Sequence, residues 1–134
     1  MDVSITCLAQ VKIPLVNKFY ANYSVRGRAK KHDDVWVVYH NFEIVAACRI
    51  QNKSDFLFLS TVFVAPDYRL QGLAKKLLSS VLLHYSDVIY TFAYTPLIHF
   101  YTELGFNQVL TYTPALNALF NIYSHRDIRA LQFK

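Results

Sequence analysis

Residues 62–78, Val-Phe-Val-Ala-Pro-Asp-Tyr-Arg-Leu-Gln-Gly-Leu-Ala-Lys-Lys-Leu-Leu, constrain the fold of this chain more than any other stretch. They read as the end of a buried strand, a Pro-Asp turn, a glycine at a helix mouth and an amphipathic helix running to about residue 85. Leu70, Leu73, Ala74, Leu77, Leu78, Val81, Leu82 and Tyr85 recur at the i, i+3, i+4, i+7 spacing of one buried face. Gln71, Lys75, Lys76, Ser79 and Ser80 fall on the other side. A helix mouth presents free backbone N–H groups and the positive end of the helix dipole. The ligand that suits it is an anion, most naturally a phosphate. Gly72, with no Cβ, lets such a group approach the backbone closely; easing the packing of the helix on the preceding strand is the other use for a glycine there.

The rest of the chain supplies a sheet around this turn. Residues 3–8 alternate and form a short strand. Lys12-Ile13-Pro14 opens a helix, with proline in the first turn and Leu15, Val16, Phe19, Tyr20 and Tyr23 as its apolar face. Arg26-Gly27-Arg28-Ala29-Lys30-Lys31-His32-Asp33-Asp34 is a polar connection that holds the densest charge run. Strands are predicted over 35–39, 44–50 and 56–64 from β-branched and aromatic content, joined by a tight connection at 40–43 and a polar turn at 51–55. They form an antiparallel meander that delivers the chain to the glycine turn. The third is almost wholly apolar, so it should be central and covered on both faces. A further strand over 88–94 follows the helix and pairs parallel to 56–64. Thr95-Pro96 starts a second helix with a capping hydroxyl; Leu97, Phe100, Tyr101 and Leu104 pack inward, and Gly105 ends it. Residues 109–112 and 119–123 read as strands around Pro114, and 128–133 as an edge segment. The fold class is α+β: a mixed, mostly antiparallel sheet with helices on both faces.

With 134 residues, the chain is expected to be a single domain, 1–134, and is large enough to bury a core. No apolar run approaches the ~20 residues of a membrane span, and the opening Met1-Asp2-Val3-Ser4 lacks the basic region of a secretion signal. A soluble, cytoplasmic protein is expected, with no membrane partner. Cys7 and Cys48 have no metal-ligand spacing, and the five histidines form no His-x-x-x-His pair. No metal is therefore expected. The net charge of +5 fits a polyanionic ligand, nucleic acid or simple solubility. The aromatic interleaving of a single-strand nucleic-acid groove is not concentrated in the basic run, so nucleic acid is not the expected partner.

Arg69-Leu70-Gln71-Gly72-Leu73-Ala74 resembles the Arg/Gln-x-x-Gly-x-Gly/Ala signature of the GNAT superfamily, the acyl-CoA-dependent N-acyltransferases. Phe100-Tyr101-Thr102-Glu103-Leu104-Gly105-Phe106 resembles that family's later Tyr-x-x-x-Gly-Phe segment, about 30 residues downstream. The resemblance is sharp over residues 56–106 and architectural elsewhere. It implies a GNAT-like fold in which strands 56–64 and 88–94 splay apart at their C-terminal ends and admit the pantetheine arm of coenzyme A. Acetyl-CoA is then the co-substrate, and an acetyl group passes to a primary amine by direct attack within a ternary complex.

The roles this implies fall on named residues. Backbone N–H groups of Gln71, Gly72, Leu73, Ala74 and Lys75 cradle the pyrophosphate, with charge from Arg69, Lys75 or Lys76 beside Leu70. Phe63 and Val64 line the pantetheine. Tyr101 protonates the departing thiolate, as a phenol with a high pKa can. Two departures from the family pattern stand out. Strand 56–64 carries no Glu or Asp to act as base, leaving Ser60, Thr61, a water chain or an already neutral amine; Asp33, Glu43 and His99 are candidates elsewhere. The Asn often found seven residues before the catalytic tyrosine is here Tyr94. Two other function classes stay open: a non-catalytic acetyl-CoA-binding regulatory module acting through a protein partner, and an RNA- or acidic-protein-binding domain led by Arg26, Arg28, Lys30 and Lys31. The acceptor, a small-molecule or peptide amine, is not named by the sequence. Strand edges near the C-terminus could pair in a homodimer.

Overall fold

The computed structural model describes residues 2–134. Seven strands, β1 (Ser4–Cys7), β2 (Asp34–His40), β3 (Glu43–Asn52), β4 (Leu57–Val64), β5 (Ile89–Tyr94), β6 (Phe106–Gln108) and β7 (Ile128–Phe133), form one sheet in the order β1-β2-β3-β4-β5-β7-β6. Every neighbouring pair is antiparallel except β4 and β5, which run parallel. Four helices complete the fold: α1 (Ile13–Asn22), α2 (Leu73–His84), α3 (Ile98–Glu103) and α4 (Pro114–Tyr123).

Strand alternation sends side chains to two sides. On one, Trp36, Val38, Cys48, Ile50, Leu59 and Ile89 meet Leu73, Leu77, Leu78, Val81 and Leu82 of α2. On the other, Val35, Val37 and Ala47 meet Val16, Phe19 and Tyr20 of α1, and Ala130 packs with Leu116 of α4. Helices thus cover both faces, as the pattern predicts.

Several expectations change. Leu15 of α1 and Tyr23, just past its end, are about half exposed, so the buried face is narrower than the periodicity suggests. Leu70 is fully exposed at positive φ, before α2 begins, and takes no part in the buried face. Residues 119–123 are helical, not a strand: Pro114 occupies the first turn of α4, and Thr113 caps it by accepting from the Leu116 N–H at 3.2 Å. Thr113-Pro114 is the sequence signal for that start. Residues 109–112 lie outside any strand, the preceding strand being Phe106–Gln108. Residues 128–133 form no edge; β7 lies between β5 and β6, with Tyr94↔Ile128 and Phe106↔Phe133 in register. The Thr95 hydroxyl does not cap α3. It donates instead to the Asp127 carboxylate at 2.8 Å, tying the end of β5 to the start of β7.

β4 is the strand that positions the site. Its parallel pairing with β5 covers only Leu57↔Ile89, Phe58↔Tyr90 and Leu59↔Thr91. Beyond Leu59 the strands part, as the resemblance implies, although β4 runs on to Val64 and β5 to Tyr94. From Ser60 onward β4 is only half-buried, so it is not covered on both faces along its length. A bulge lies where the split begins. Ala47 pairs with Phe63 but Arg49 with Ser60, which leaves two β4 residues opposite one of β3.

Candidate active site

The bulge places Thr61 at φ +54, a conformation that a β-branched residue adopts only under constraint. The constraints are visible. Tyr20 donates its hydroxyl to the Thr61 carbonyl at 2.8 Å. Arg49 donates from Nη1 to Thr61 Oγ1 and from Nε to Asp33 Oδ2, each at 3.1 Å. Gln51 donates to the Ser60 hydroxyl at 2.9 Å. Gly27, at φ +94, passes so close that a Cβ there would lie 3.3 Å from both Arg49 Nη1 and Thr61 Oγ1. The basic segment 26–31 is therefore held as an ordered strap, not a free loop. Asn17 of α1 clamps it, accepting from the Ala29 N–H at 2.7 Å and donating to the Ala29 carbonyl at 3.0 Å.

The gap between β4 and β5 opens into a cavity of about 480 Å³. Ser60, Thr61 and Val62 of β4 and Thr91, Ala93 and Tyr94 of β5 form its sides. Tyr101 of α3 and Leu119 and Tyr123 of α4 also line it, and Arg26, Arg49, Lys53 and Arg126 add a cationic rim. Tyr101 is buried between Phe100 and Phe106, whose rings meet it edge-on at 5.2 and 5.4 Å. Burial pushes its phenol up to about 12, with the nearby Cys48 thiol a lesser cause. The side chain is therefore a protonated donor throughout the neutral range.

The proposed bases do not come together here. Asp33 is consumed by its ion pair with Arg49, both side chains being almost wholly buried. Glu43 sits at the β2–β3 turn, and His99 is exposed on α3 beside Glu103 at 2.8 Å. None of the three lines the cavity, nor does any other Asp, Glu or His among the described residues. Tyr94, in place of the expected Asn, does line it.

The helix-mouth residues lie apart from this cavity, at the far end of β4. Gly72 caps α2 at φ +76, and a Cβ built there meets nothing within 4 Å. Packing on the strand therefore does not demand the glycine; the backbone conformation does, and the space in front of it is open. No side chain caps the helix, so the first-turn N–H groups of Leu73, Ala74 and Lys75 face outward unpaired. Gln71, Lys75 and Lys76 are exposed around them. Arg69 is folded back: its guanidinium lies 5.2 Å from the Phe63 ring centre, and Nε donates to the Val64 carbonyl at 3.0 Å. Phe63 packs with Phe19 and Tyr23, and neither it nor Val64 lines the cavity. Val62, Thr91, Arg49 and Arg126 are wall residues that the motifs did not point to. Their signal lies in the bulge and the strand order, which no local pattern encodes.

A split parallel strand pair, with an open glycine helix mouth at one end and a buried phenol in the gap, is the architecture of an acyl-CoA N-acyltransferase. The chain belongs to the GNAT acetyltransferase family, whose acetyltransferase (GNAT) domain matches residues 31–108, more than half of its length. With that membership comes the enzyme class, N-acetyltransferase. The fold is similar to that of a Staphylococcus aureus Mu50 acetyltransferase of the GNAT family (17% identity, TM-score 0.66, 98% of each chain covered). It is also similar to Arabidopsis thaliana Naa50 in complex with the bisubstrate analogue CoA-Ac-MVNAL (20% identity, TM-score 0.67, 100% of this chain and 99% of that one). Neisseria gonorrhoeae N-acetylglutamate synthase, complexed with coenzyme A and N-acetyl-glutamate, matches at TM-score 0.73 and 13% identity over 99% of this chain. The chain spans about a third (35%) of that synthase. At these identities the likeness is one of fold. Among curated protein sequences none matches this chain. Among the described residues, no helix is long and apolar enough to cross a membrane.

Proposed function

We propose that the protein transfers an acetyl group from acetyl-CoA to a primary amine by direct attack in a ternary complex. The observation that carries this reading is the end of β4–β5 pairing at Leu59↔Thr91, which leaves a gap with the buried Tyr101 phenol on its wall. The residues present fit the co-substrate. The uncapped mouth of α2, with open space before Gly72 and Lys75 and Lys76 beside it, suits a pyrophosphate. The free inner edge of β4 beyond Leu59 offers backbone groups to an amide-bearing arm.

Acetyl-CoA supplies an activated thioester, in which the amine nitrogen bonds the carbonyl carbon and the carbon–sulfur bond breaks. Tyr101 gives its proton to the leaving sulfur, a role that its retained proton suits, and the proton that the nitrogen sheds as the amide forms restores the phenol. Deprotonating the amine needs no carboxylate. The guanidinium and ammonium groups around the cavity disfavour a second positive charge, so the acceptor binds as the neutral amine. The lack of a carboxylate also favours the other reading, a non-catalytic acetyl-CoA sensor acting through a protein partner. Release of coenzyme A thiol with a panel of primary amines separates the two. Acceptor-dependent release supports transfer, whereas tight acetyl-CoA binding without release for any amine supports the sensor.

A further inference from the structure

We infer that the acceptor is an amine that also carries a carboxylate, recognised by the cationic rim of the cavity. This rests on the transfer reading above and narrows it. Three segments far apart in the sequence bring a cation to one opening: Arg26 from the strap after α1, Lys53 from the β3–β4 turn, and Arg126 from the connection between α4 and β7. Among the described residues, none of the three has an acidic side chain within 4.0 Å. None of the nine acidic residues of the chain lines the cavity. Arg49 differs, since Asp33 neutralises it and it serves the bulge.

Cations that line one cavity with no carboxylate among them give it a positive potential, which favours an anionic group there. A pyrophosphate at the mouth of α2 lies beyond the reach of Lys53. Lys53 precedes the start of β4 while Gly72 follows its end, and an eight-residue strand spans roughly 23 Å. Arg126 suits a carboxylate: its guanidinium lies over the Tyr123 ring, 5.2 Å from the ring centre, and a guanidinium can bind a carboxylate through two N–H groups. Tyr94 and Tyr123 supply apolar walls for the carbon skeleton between carboxylate and amine.

Matched pairs test this: glycine against glycinamide and glutamate against glutamine as free amines, and a hexapeptide beginning Asp-Glu against one beginning Asn-Gln. Thiol release at saturating acetyl-CoA gives KM for each. The expected result is a KM at least tenfold lower for the carboxylate member of a pair. In Arg126→Gln and Arg26→Gln that gap shrinks to below threefold, while KM for acetyl-CoA stays unchanged. Whether free acids or acidic peptides show the larger gap identifies the source of the carboxylate. Equal KM values within pairs, or preference for the amides, would overturn the inference. Calorimetric binding of the same pairs to the protein saturated with coenzyme A reads the rim without turnover. If no amine releases thiol yet the acids bind tighter than the amides and lose that advantage in Arg126→Gln, transfer fails while the carboxylate site stands.

Discussion

The Thr91 hydroxyl donates to the Leu59 carbonyl across 2.9 Å, at the last step of parallel pairing between β4 and β5. Past this point the two strands separate, and a buried carbonyl at the fork needs a donor. The threonine supplies it from its side chain. The fork is therefore terminated chemically, by one hydroxyl, and not merely left to fray.

Thr91→Val keeps the shape and removes the donor. It should lower the unfolding free energy by about 1–2 kcal/mol, and Thr91→Ser should retain most of the stability. Urea titration decides. Wild-type stability in Thr91→Val would show that the hydroxyl does not matter to the fork.

Asp33 and Arg49 hold the bulge from behind, with both side chains largely buried. Asp33→Asn strands a buried guanidinium, which should cost about 3 kcal/mol. A loss below about 1 kcal/mol in the same urea titration would mean that the Thr61 conformation does not depend on this pair.

Most of the sheet was legible because β2 to β5 are long, apolar and punctuated by polar turns. The α2 helix and its glycine turn were legible for the same reason. What was missed depends on contacts distant in sequence. Residues 119–123 carry enough apolar character for either strand or helix, and Thr113-Pro114 decides between them. Residues 128–133 pass for an edge until β6, only three residues long, is seen to pair outside them. Tyr101 and Gly72 lie in local motifs that a sequence exposes. Arg126 and Thr91 enter the cavity only through the strand order, and the bulge at Thr61 leaves no mark in composition at all.

Tyr101→Phe removes the proposed proton donor while keeping the ring between Phe100 and Phe106. The turnover rate should fall by about 100-fold or more, with acetyl-CoA affinity within about twofold of wild type. Burial holds the wild-type phenol at about 12, so its acid form is present at every pH below that. The wild-type rate should show no alkaline decline up to about pH 10, rising only as the acceptor amine loses its proton. An alkaline limb near ~pH 8 would contradict this assignment.

Stability should fall in alkali. Burial raises the pKa of Tyr20, Cys48 and Tyr101 in the folded state. Each group holds its proton more tightly when folded, so its contribution is complete below the unfolded value and is lost as pH rises through the folded one. Unfolded thiols and phenols titrate near ~8.5 and ~10. Thermal unfolding should thus be flat around pH 7–8, decline above about pH 9 and steepen beyond about pH 10. A melting temperature independent of pH from about 7 to about 11 would show that these groups are not buried as described.

Calorimetric titration with acetyl-CoA tests the central claim most directly, comparing wild type with Gly72→Glu and Gly72→Ala. The open space before Gly72 admits either side chain, and the positive φ imposes on both a backbone cost of about 1–2 kcal/mol, so strain is matched between them. Saturable wild-type binding should survive in Gly72→Ala and weaken at least ~30-fold in Gly72→Glu, the size expected for like charges brought together. Equal affinity in wild type and Gly72→Glu, or no wild-type binding, would contradict a pyrophosphate site at the mouth of α2.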